Sequence, residues 1–321
     1  MQQLGLIINP HSKLNKRNPE LFHKLENIGK NVVLIRSTKT LTELDEAVAF
    51  FRSRKVPMLA VCGGDGSLNR CIEAVVKIYG SDTSAYPAIF LLRGGTMNVV
   101  ANYLHQRGSP ISRLRSLVCR LEKSRALTTQ AVHLIRVEGH CGFLYADAAA
   151  MPVLELFYQN KTGPLGAFWM GCKIFTWGLR RTARFMRMFQ PISYQVNLYS
   201  PSGSHPTRTF GVRSMLGFCS FLTSLPMHIP LLPKQSAQPG HFHASFLELE
   251  PQQLIGRLPS LLFFSFLGKF HRCPELKMVF TEKMMISSED KIRYTLDGEL
   301  YTSHSQVLEV RAGPEIRFAL L

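Results

Sequence analysis

The sequence predicts an α/β domain built on a parallel sheet, followed by a mainly antiparallel β domain. Three observations carry that expectation. The first third of the 321 residues alternates short apolar runs with helix-period segments, the pattern of parallel strands covered by helices. After about residue 128 strand-like runs follow one another with few helical interruptions, which points to antiparallel pairing. The length suits two domains, each large enough to bury its own core. The expected boundaries are 1–128 and 129–321, with the last residues candidates to pack back on the first domain.

Leu4–Ile8 reads as a strand, Pro19–Ile28 as a helix and Val32–Ile35 as a second strand. Thr40 and Leu41-Thr42-Glu43 offer a cap and an acidic first turn for a helix over Leu41–Arg54. A strand at Met58–Cys62, a helix at Leu68–Ile78, a strand at Ala88–Leu92 and helices at Thr96–Leu104 and Pro110–Lys123 complete the first domain. Strands are then expected at Ala131–Val137, Cys141–Tyr145, Tyr194–Tyr199, Phe242–Leu249, Leu276–Phe280, Lys283–Ile286, Lys291–Thr295 and Gln306–Val310. Helical patterns interrupt them at Pro152–Gln190 and Pro251–Leu262. Met215–Pro233 is long enough to test as a membrane span, but Pro226, Pro230, Pro233 and His228 argue against a spanning helix.

With 45% apolar and 19% charged residues the chain is globular rather than disordered. Thirty-eight Lys plus Arg against 22 Asp plus Glu give a net charge of +16, which favours an anionic partner without choosing among membrane, nucleotide and nucleic acid. The seven cysteines are scattered, odd in number and never spaced as CxxC. That pattern opposes a disulfide framework or zinc cluster and suits reduced thiols in the cytoplasm. Met1-Gln2-Gln3 leads straight into Leu4–Ile8, with no basic n-region or long apolar h-region, so no signal peptide is expected.

Gly63-Gly64-Asp65-Gly66-Ser67 lies between a strand and a helix. Backbone amides and the positive helix end would converge there as a phosphate cradle, although a plain glycine-rich turn with an Asp cap uses the same residues. The spacing fits neither GxGxxG nor the P-loop. A second glycine turn, Arg93-Gly94-Gly95-Thr96-Met97-Asn98, follows the next strand in the same way, so both would face one ligand beyond the carboxyl ends of the sheet. Far downstream, Asp297-Gly298-Glu299 is either a type I′ hairpin turn or a pair of chemically active carboxylates.

In this order the motifs resemble the diacylglycerol kinase and sphingosine kinase superfamily of lipid kinases. Asn9-Pro10-His11-Ser12 is similar to the opening NPxSG, Gly63–Asn69 to GGDGTxN, Gly95–Asn98 to GTxN and Asp297–Glu299 to the closing DGE. Gly240–His243 and Gly268–His271 fall where bacterial members carry a DGxLD strand and a GxH turn. The resemblance implies a nucleotide-binding, doubly wound α/β domain and a β-sandwich that holds the lipid, with ATP between them. It assigns ATP contacts to Gly63, Gly64, Asp65, Gly66, Ser67, Thr38 and Thr96, joined by Asn9, Asn69, Gly95 and Asn98. Asp297 matches the general base and Glu299 its partner on the magnesium-phosphate side. Mg²⁺ would arrive with the ATP phosphates, with Asp65 or Glu299 as candidate ligands.

The sequence departs from the family at Lys13, which replaces the glycine of NPxSG, at Arg70 and Val99, where many bacterial members carry a Glu and an acidic residue, and at Ala146–Ala150, which replaces a glycine-rich strand. His241 and His243 share a strand face without a third metal ligand, and Asp147 reads as a capping or surface residue, or as one that orients a lipid head group. Treated as one helix, Leu165–Gln190 gathers Lys173, Trp177, Arg180, Arg184 and Arg187 on one face beside a broad apolar surface, suiting contact with an anionic membrane. A solvated face of a packed helix would look the same. The reading is an ATP-dependent lipid kinase, cytoplasmic and peripheral on the inner membrane face, acting on diacylglycerol or a related lipid and not on nucleic acid. A sphingosine- or ceramide-type kinase, a non-catalytic lipid-binding relative and an NAD kinase follow as alternatives.

Overall fold

The computed structural model of the protein describes residues 4–28, 32–95, 98–160, 164–200, 203, 205–222, 224–225, 229–230, 240–267, 269 and 272–321. The chain divides into two compact units, one chiefly of Met1–His133 with Pro314–Leu321, the other of Leu134–Leu225 and Ile229–Gly313.

The first unit runs β1 (Leu4–Ile8), α1 (Lys13–Arg17), α2 (Glu20–Ile28), β2 (Val33–Ser37), α3 (Leu41–Ser53), β3 (Met58–Gly63), α4 (Asp65–Tyr79), β4 (Ala88–Arg93), α5 (Val99–Tyr103) and α6 (Pro110–Glu122). Its strands lie in the order β2-β1-β3-β4, all parallel, with Leu4 in register with both Val33 and Met58. Phe318, in the returning C-terminal segment, pairs in parallel with Ile89 of β4. The strands are buried runs because helices cover both faces. Leu21 and Leu25 of α2 and Leu114 and Leu117 of α6 close one face. On the other, α3 comes so close that a Cβ on Gly5 would lie 2.9 Å from Phe51. Thr40 caps α3 by accepting the Glu43 amide, as the sequence predicts. Helix α4 starts at Asp65, three residues earlier than expected.

The second unit contains the end of β5 (Thr128–Val137), β6 (His140–Gly142), β7 (Leu144–Asp147), α7 (Ala150–Gln159), α8 (Pro164–Leu179), α9 (Ala183–Met188), β8 (Ile192–Tyr199), β9 (Pro206–Ser214), β10 (Leu216–Ser220), the short pair β11 (Ser224–Leu225) and β12 (Ile229–Pro230), β13 (Phe242–Leu247), α10 (Pro251–Phe266), β14 (Leu276–Thr281), β15 (Lys283–Ser287), β16 (Arg293–Leu296), β17 (Glu299–Thr302) and the first half of β18 (Val307–Leu320). One antiparallel sheet is ordered β14-β13-β10-β7-β16-β17. Strands β18, β15, β8 and β9, with the β5–β6 hairpin, form a second layer. Alternate residues of both layers, among them Val196, Ile286 and Val310 from one and Phe242, Phe246 and Tyr294 from the other, share one buried core. This is a β-sandwich. The opposite face of the first sheet packs Phe218, Leu247 and Leu276 against Leu261 of α10, with Phe189 and Leu254 at its margin.

Three differences from the sequence reading have physical causes in the structure. Leu216–Ser220 is a strand inside a sheet rather than part of a spanning segment, and among the described residues no helix is long and apolar enough to cross a membrane. Strand β9 has no apolar run because it is a sheet edge with exposed Thr and Arg side chains. The expected helix over Leu165–Gln190 breaks into α8 and α9. The Arg181 amide donates to the Gly178 carbonyl, the Thr182 amide donates to the Trp177 carbonyl, and Arg181 takes a left-handed φ of 47°, a helix-ending motif. Thr182 then caps α9 through the Phe185 amide. Gly178 permits the bend, since a Cβ there would lie 2.8 Å from Phe185 and 2.5 Å from Ile255.

Candidate active site

In an open parallel sheet a ligand crevice forms where strand order reverses, beyond the carboxyl ends of the strands. Here that point lies between β1 and β3. Asn9 follows β1, and Gly63 ends β3. The Asn9 side-chain amide donates to Ser67 Oγ at 2.8 Å, and its own oxygen accepts the His11 amide. Asn9 thereby fixes the loop after β1 against the first turn of α4. Thr38 is buried at the end of β2, its amide donating to the Ile8 carbonyl. Asn69 is buried on α4, with its side-chain oxygen unpartnered.

The glycines fall into two classes. A Cβ on Gly95 would sit 2.5 Å from Gly64 Cα, one on Gly94 3.0 Å from Gly63 Cα, and one on Gly63 2.4 Å from Ser67 Cβ. The Gly94 amide also donates to the Gly63 carbonyl at 2.7 Å. Gly64, Gly94 and Gly95 are therefore required by the contact between the two turns, and Gly63 by the approach of Ser67 within its own turn, whatever else binds there. Gly66 differs: a Cβ would meet nothing within 4 Å. Gly64, at the N-cap of the 15-residue helix α4, supplies no side-chain cap. Gly66 and Ser67, in the first turn of α4, thus stand at the positive end of a long helix dipole with no side-chain cap from Gly64.

Asp65 Oδ1 accepts the Val99 amide at 2.7 Å. Burial pushes its carboxyl pKa up, against the pull of the Val99, Asn98 and Val100 amides. Asp65 thus caps α5 across the two turns, and this engagement fits a bracing carboxylate better than a metal ligand. Asn98, left-handed at φ 47°, accepts the Gly95 amide and donates to the Gly95 carbonyl, closing the second turn. Thr96 and Met97 lie outside the described residues. A small recess opens here, walled by Gly63, Gly64, Asp65, Leu68, Arg93 and Asn98. Arg93 is the residue that motif reading passed over, although it immediately precedes the second glycine pair. Its guanidinium is held by the Asn102 side chain and the Gln106 carbonyl.

In the second unit, Asp297 and Gly298 form the two-residue turn between β16 and β17, with φ of 52° and 96°. The type I′ turn and the candidate base are therefore the same structure. Each Asp297 oxygen accepts one backbone amide, Phe143 to Oδ2 and Leu144 to Oδ1, both at 2.9 Å. A Cβ on Gly142 would lie 2.9 Å from Oδ2. The break at Phe143 in the expected Cys141–Tyr145 strand is what presents these amides. No sequence signal marked Gly142. Glu299 is half-buried at the start of β17, paired in register with Leu296.

Asp147 is neither a cap nor a surface residue. It is fully buried and accepts the Tyr145 hydroxyl at 2.8 Å and the Gly217 amide at 2.9 Å. Burial pushes its carboxyl up to about 6. His241 pairs with Glu282 at 3.4 Å, while burial lowers His243 to about 4. Among the described residues no group of three His, Cys, Asp or Glu gathers for a metal. Gly268, Phe270 and His271 lie outside the described residues. The helix break leaves Lys173 and Trp177 on α8, Arg180 in the turn, and Arg184 and Arg187 on α9. Trp177 still joins two of them, with Arg184 4.5 Å and Lys173 5.4 Å from its ring.

Residues 3–130 match the family described as the diacylglycerol kinase catalytic domain. No curated protein sequence matches the chain. Among solved structures, all of the chain is similar to 97% of a diacylglycerol kinase from Bacillus anthracis str. Sterne, at 14% identity and a TM-score of 0.68. Two further structures from that organism, of proteins whose diacylglycerol kinase assignment is provisional, match over the same shares at 15% and 14% identity with TM-scores of 0.68 and 0.69. At such identity the likeness is one of fold. The family match thus covers residues 3–130, and the chain as a whole has the fold of these solved diacylglycerol kinase-like structures.

Proposed function

We propose that the protein is an ATP-dependent lipid kinase that phosphorylates a hydroxyl of diacylglycerol or a related neutral lipid. The observation that carries this reading is Gly66, a glycine with no internal demand for its missing side chain, at the uncapped start of α4. A phosphate group is the ligand to which such amides donate. Gly66 and Ser67 would bind phosphate oxygens through their amides, while Asn9, Asp65 and Asn98 keep the turns rigid. Asp297 would take the acceptor's proton. The hydroxyl oxygen bonds to the γ-phosphorus as the bond from that phosphorus to the ADP oxygen breaks, and the proton moves to the carboxylate. Two backbone amides keep that carboxylate oriented before the reaction.

A divalent metal held chiefly by the phosphates, with Glu299 as candidate protein ligand, would neutralise charge on the transferring group. On the helix-covered face of the sandwich, His243 Nε2, Ser245 Oγ and Thr295 Oγ1 are buried without partners. With His243 held neutral, these groups are able to donate to the ester and hydroxyl oxygens of a lipid acceptor. The test is phosphate transfer from radiolabelled ATP to a panel of lipids in mixed micelles. Labelled phosphatidic acid or a near relative is the expected product. Label transfer to no lipid in the panel would refute the reading, and transfer to a sphingoid base alone would refute the acceptor.

A further inference from the structure

We infer that the helical layer formed by α8, α9 and α10 is a docking surface for an anionic phospholipid bilayer. The inference deepens the lipid-kinase reading by giving the acceptor's source, but its grounds are separate. Between Glu155 and Glu248 the sequence holds nine Lys or Arg and no Asp or Glu. More than half of the +16 net charge therefore comes from this one stretch. Among the described residues, Lys173, Arg180, Arg184 and Arg187 are exposed and paired with no carboxylate. A solvated helix of ordinary kind would alternate such cations with acids.

The outward face of α8 is apolar. Phe168, Phe175 and Leu179 fall within about 40° of one another around the helix, and they are 67%, 41% and 59% exposed. Trp169, 70% exposed, follows at about 100° from Phe168, on the side that carries Lys173 and Arg180. Helix α10, which meets α8 where Ile255 packs at Gly178, exposes Leu262 and Phe263 at 58% and 60%. Large apolar side chains on solvent-facing helices, bordered by cations without counter-charges, match the interface of a bilayer, where acyl chains take the first and lipid phosphates the second. A nucleic acid would satisfy the cations and leave the apolar strip in water.

The chain offers its own probe, because its two tryptophans, Trp169 and Trp177, both lie on α8. Trp177→Phe leaves Trp169 as the sole reporter. Phosphatidylcholine vesicles with and without phosphatidylglycerol are titrated into this protein without nucleotide, so docking and phosphotransfer can fail independently. On the anionic vesicles the emission should move to the blue and be quenched by brominated acyl chains. Replacing Lys173, Arg180, Arg184 and Arg187 by Gln should weaken that binding roughly a thousand-fold at low salt, four charges each counting near the surface. Should that variant unfold, Phe168→Ser with Leu179→Ser changes only solvent-facing side chains and should weaken binding by about tenfold or more. Vesicle binding with Trp169 emission unmoved would overturn the inference, as would unchanged affinity of the serine pair. So would self-association, seen by sedimentation and abolished by the serine pair, in a protein that ignores vesicles.

Discussion

Gly66→Ala separates a phosphate cradle from a tight turn, because the two readings predict opposite signs. Gly66 is the second residue of α4, and the added methyl would meet no protein atom within 4 Å. Replacing a helical glycine by alanine then stabilises by about 0.5–1 kcal/mol, with the lower value apt for a first turn. If phosphate oxygens approach the α4 amides, the same methyl stands in their path. Loss of one charge-assisted hydrogen bond costs about 1.5–3 kcal/mol, equivalent to roughly 10- to 150-fold in kcat/KM for ATP. The assay pairs thermal unfolding with ATP kinetics: a melting temperature at or above the parent's should accompany a large fall in kcat/KM. Gly95→Ala is the contrast, since its Cβ would lie 2.5 Å from Gly64 Cα and should lower both quantities. An ATP kcat/KM within twofold of the parent's in folded Gly66→Ala would refute the cradle.

Asp297→Asn should lower turnover by about 100-fold or more with the ATP KM unchanged, measured on the best lipid acceptor; parental turnover would remove Asp297 from the chemistry. Gly142→Ala should push the Asp297 carboxylate off its amides and reduce kcat by about tenfold or more, again without altering the ATP KM. Asp147 should leave a pH signature in stability. Its folded pKa of about 6 exceeds the unfolded value, so the proton it holds favours the folded state at low pH. This contribution fades as pH rises from about 4 to about 6, on the order of 3 kcal/mol in total. Urea unfolding of the parent and of Asp147→Asn across that range should differ in slope, and parallel curves would contradict the shift.

The first unit was legible because its physics is local. Apolar runs, a Thr40 cap and glycine turns at strand ends each act within a few residues, and the strands, helices and turns stand close to where those signals put them. The second unit shows where such reading stops. Strand β9 lies at a sheet edge and needs no apolar run, so its sequence resembles a loop. The break at Arg181 comes from Ile255 and Phe185 packing on Gly178, and the Ile255 contact is distant in sequence. Asp147 looked exposed because a lone aspartate usually is; its burial rests on Tyr145 and on Gly217, 70 positions away. Asp297 could be read as turn or as base, and the structure makes these compatible. The turn conformation delivers the carboxylate to the amides of Phe143 and Leu144.

The departures at positions 70 and 99 bear on whether the first unit can still work as a nucleotide site. Position 99 meets the cradle through its backbone: the Val99 amide, not its side chain, binds Asp65. An acid there is not needed to hold the two turns together, since that bond forms with any residue that has an N–H. Arg70 pairs with Glu73 at 2.8 Å one turn along α4. The groups that brace the turns, Asn9 on Ser67, Asp65 on Val99 and Asn98 on Gly95, make no use of either altered side chain. Val99 and Arg70 are therefore poor grounds for a protein that has lost its chemistry. Restoring Val99→Glu should leave ATP kcat/KM within a few-fold of the parent's; a gain of a hundredfold would show that position 99 acts through its side chain after all.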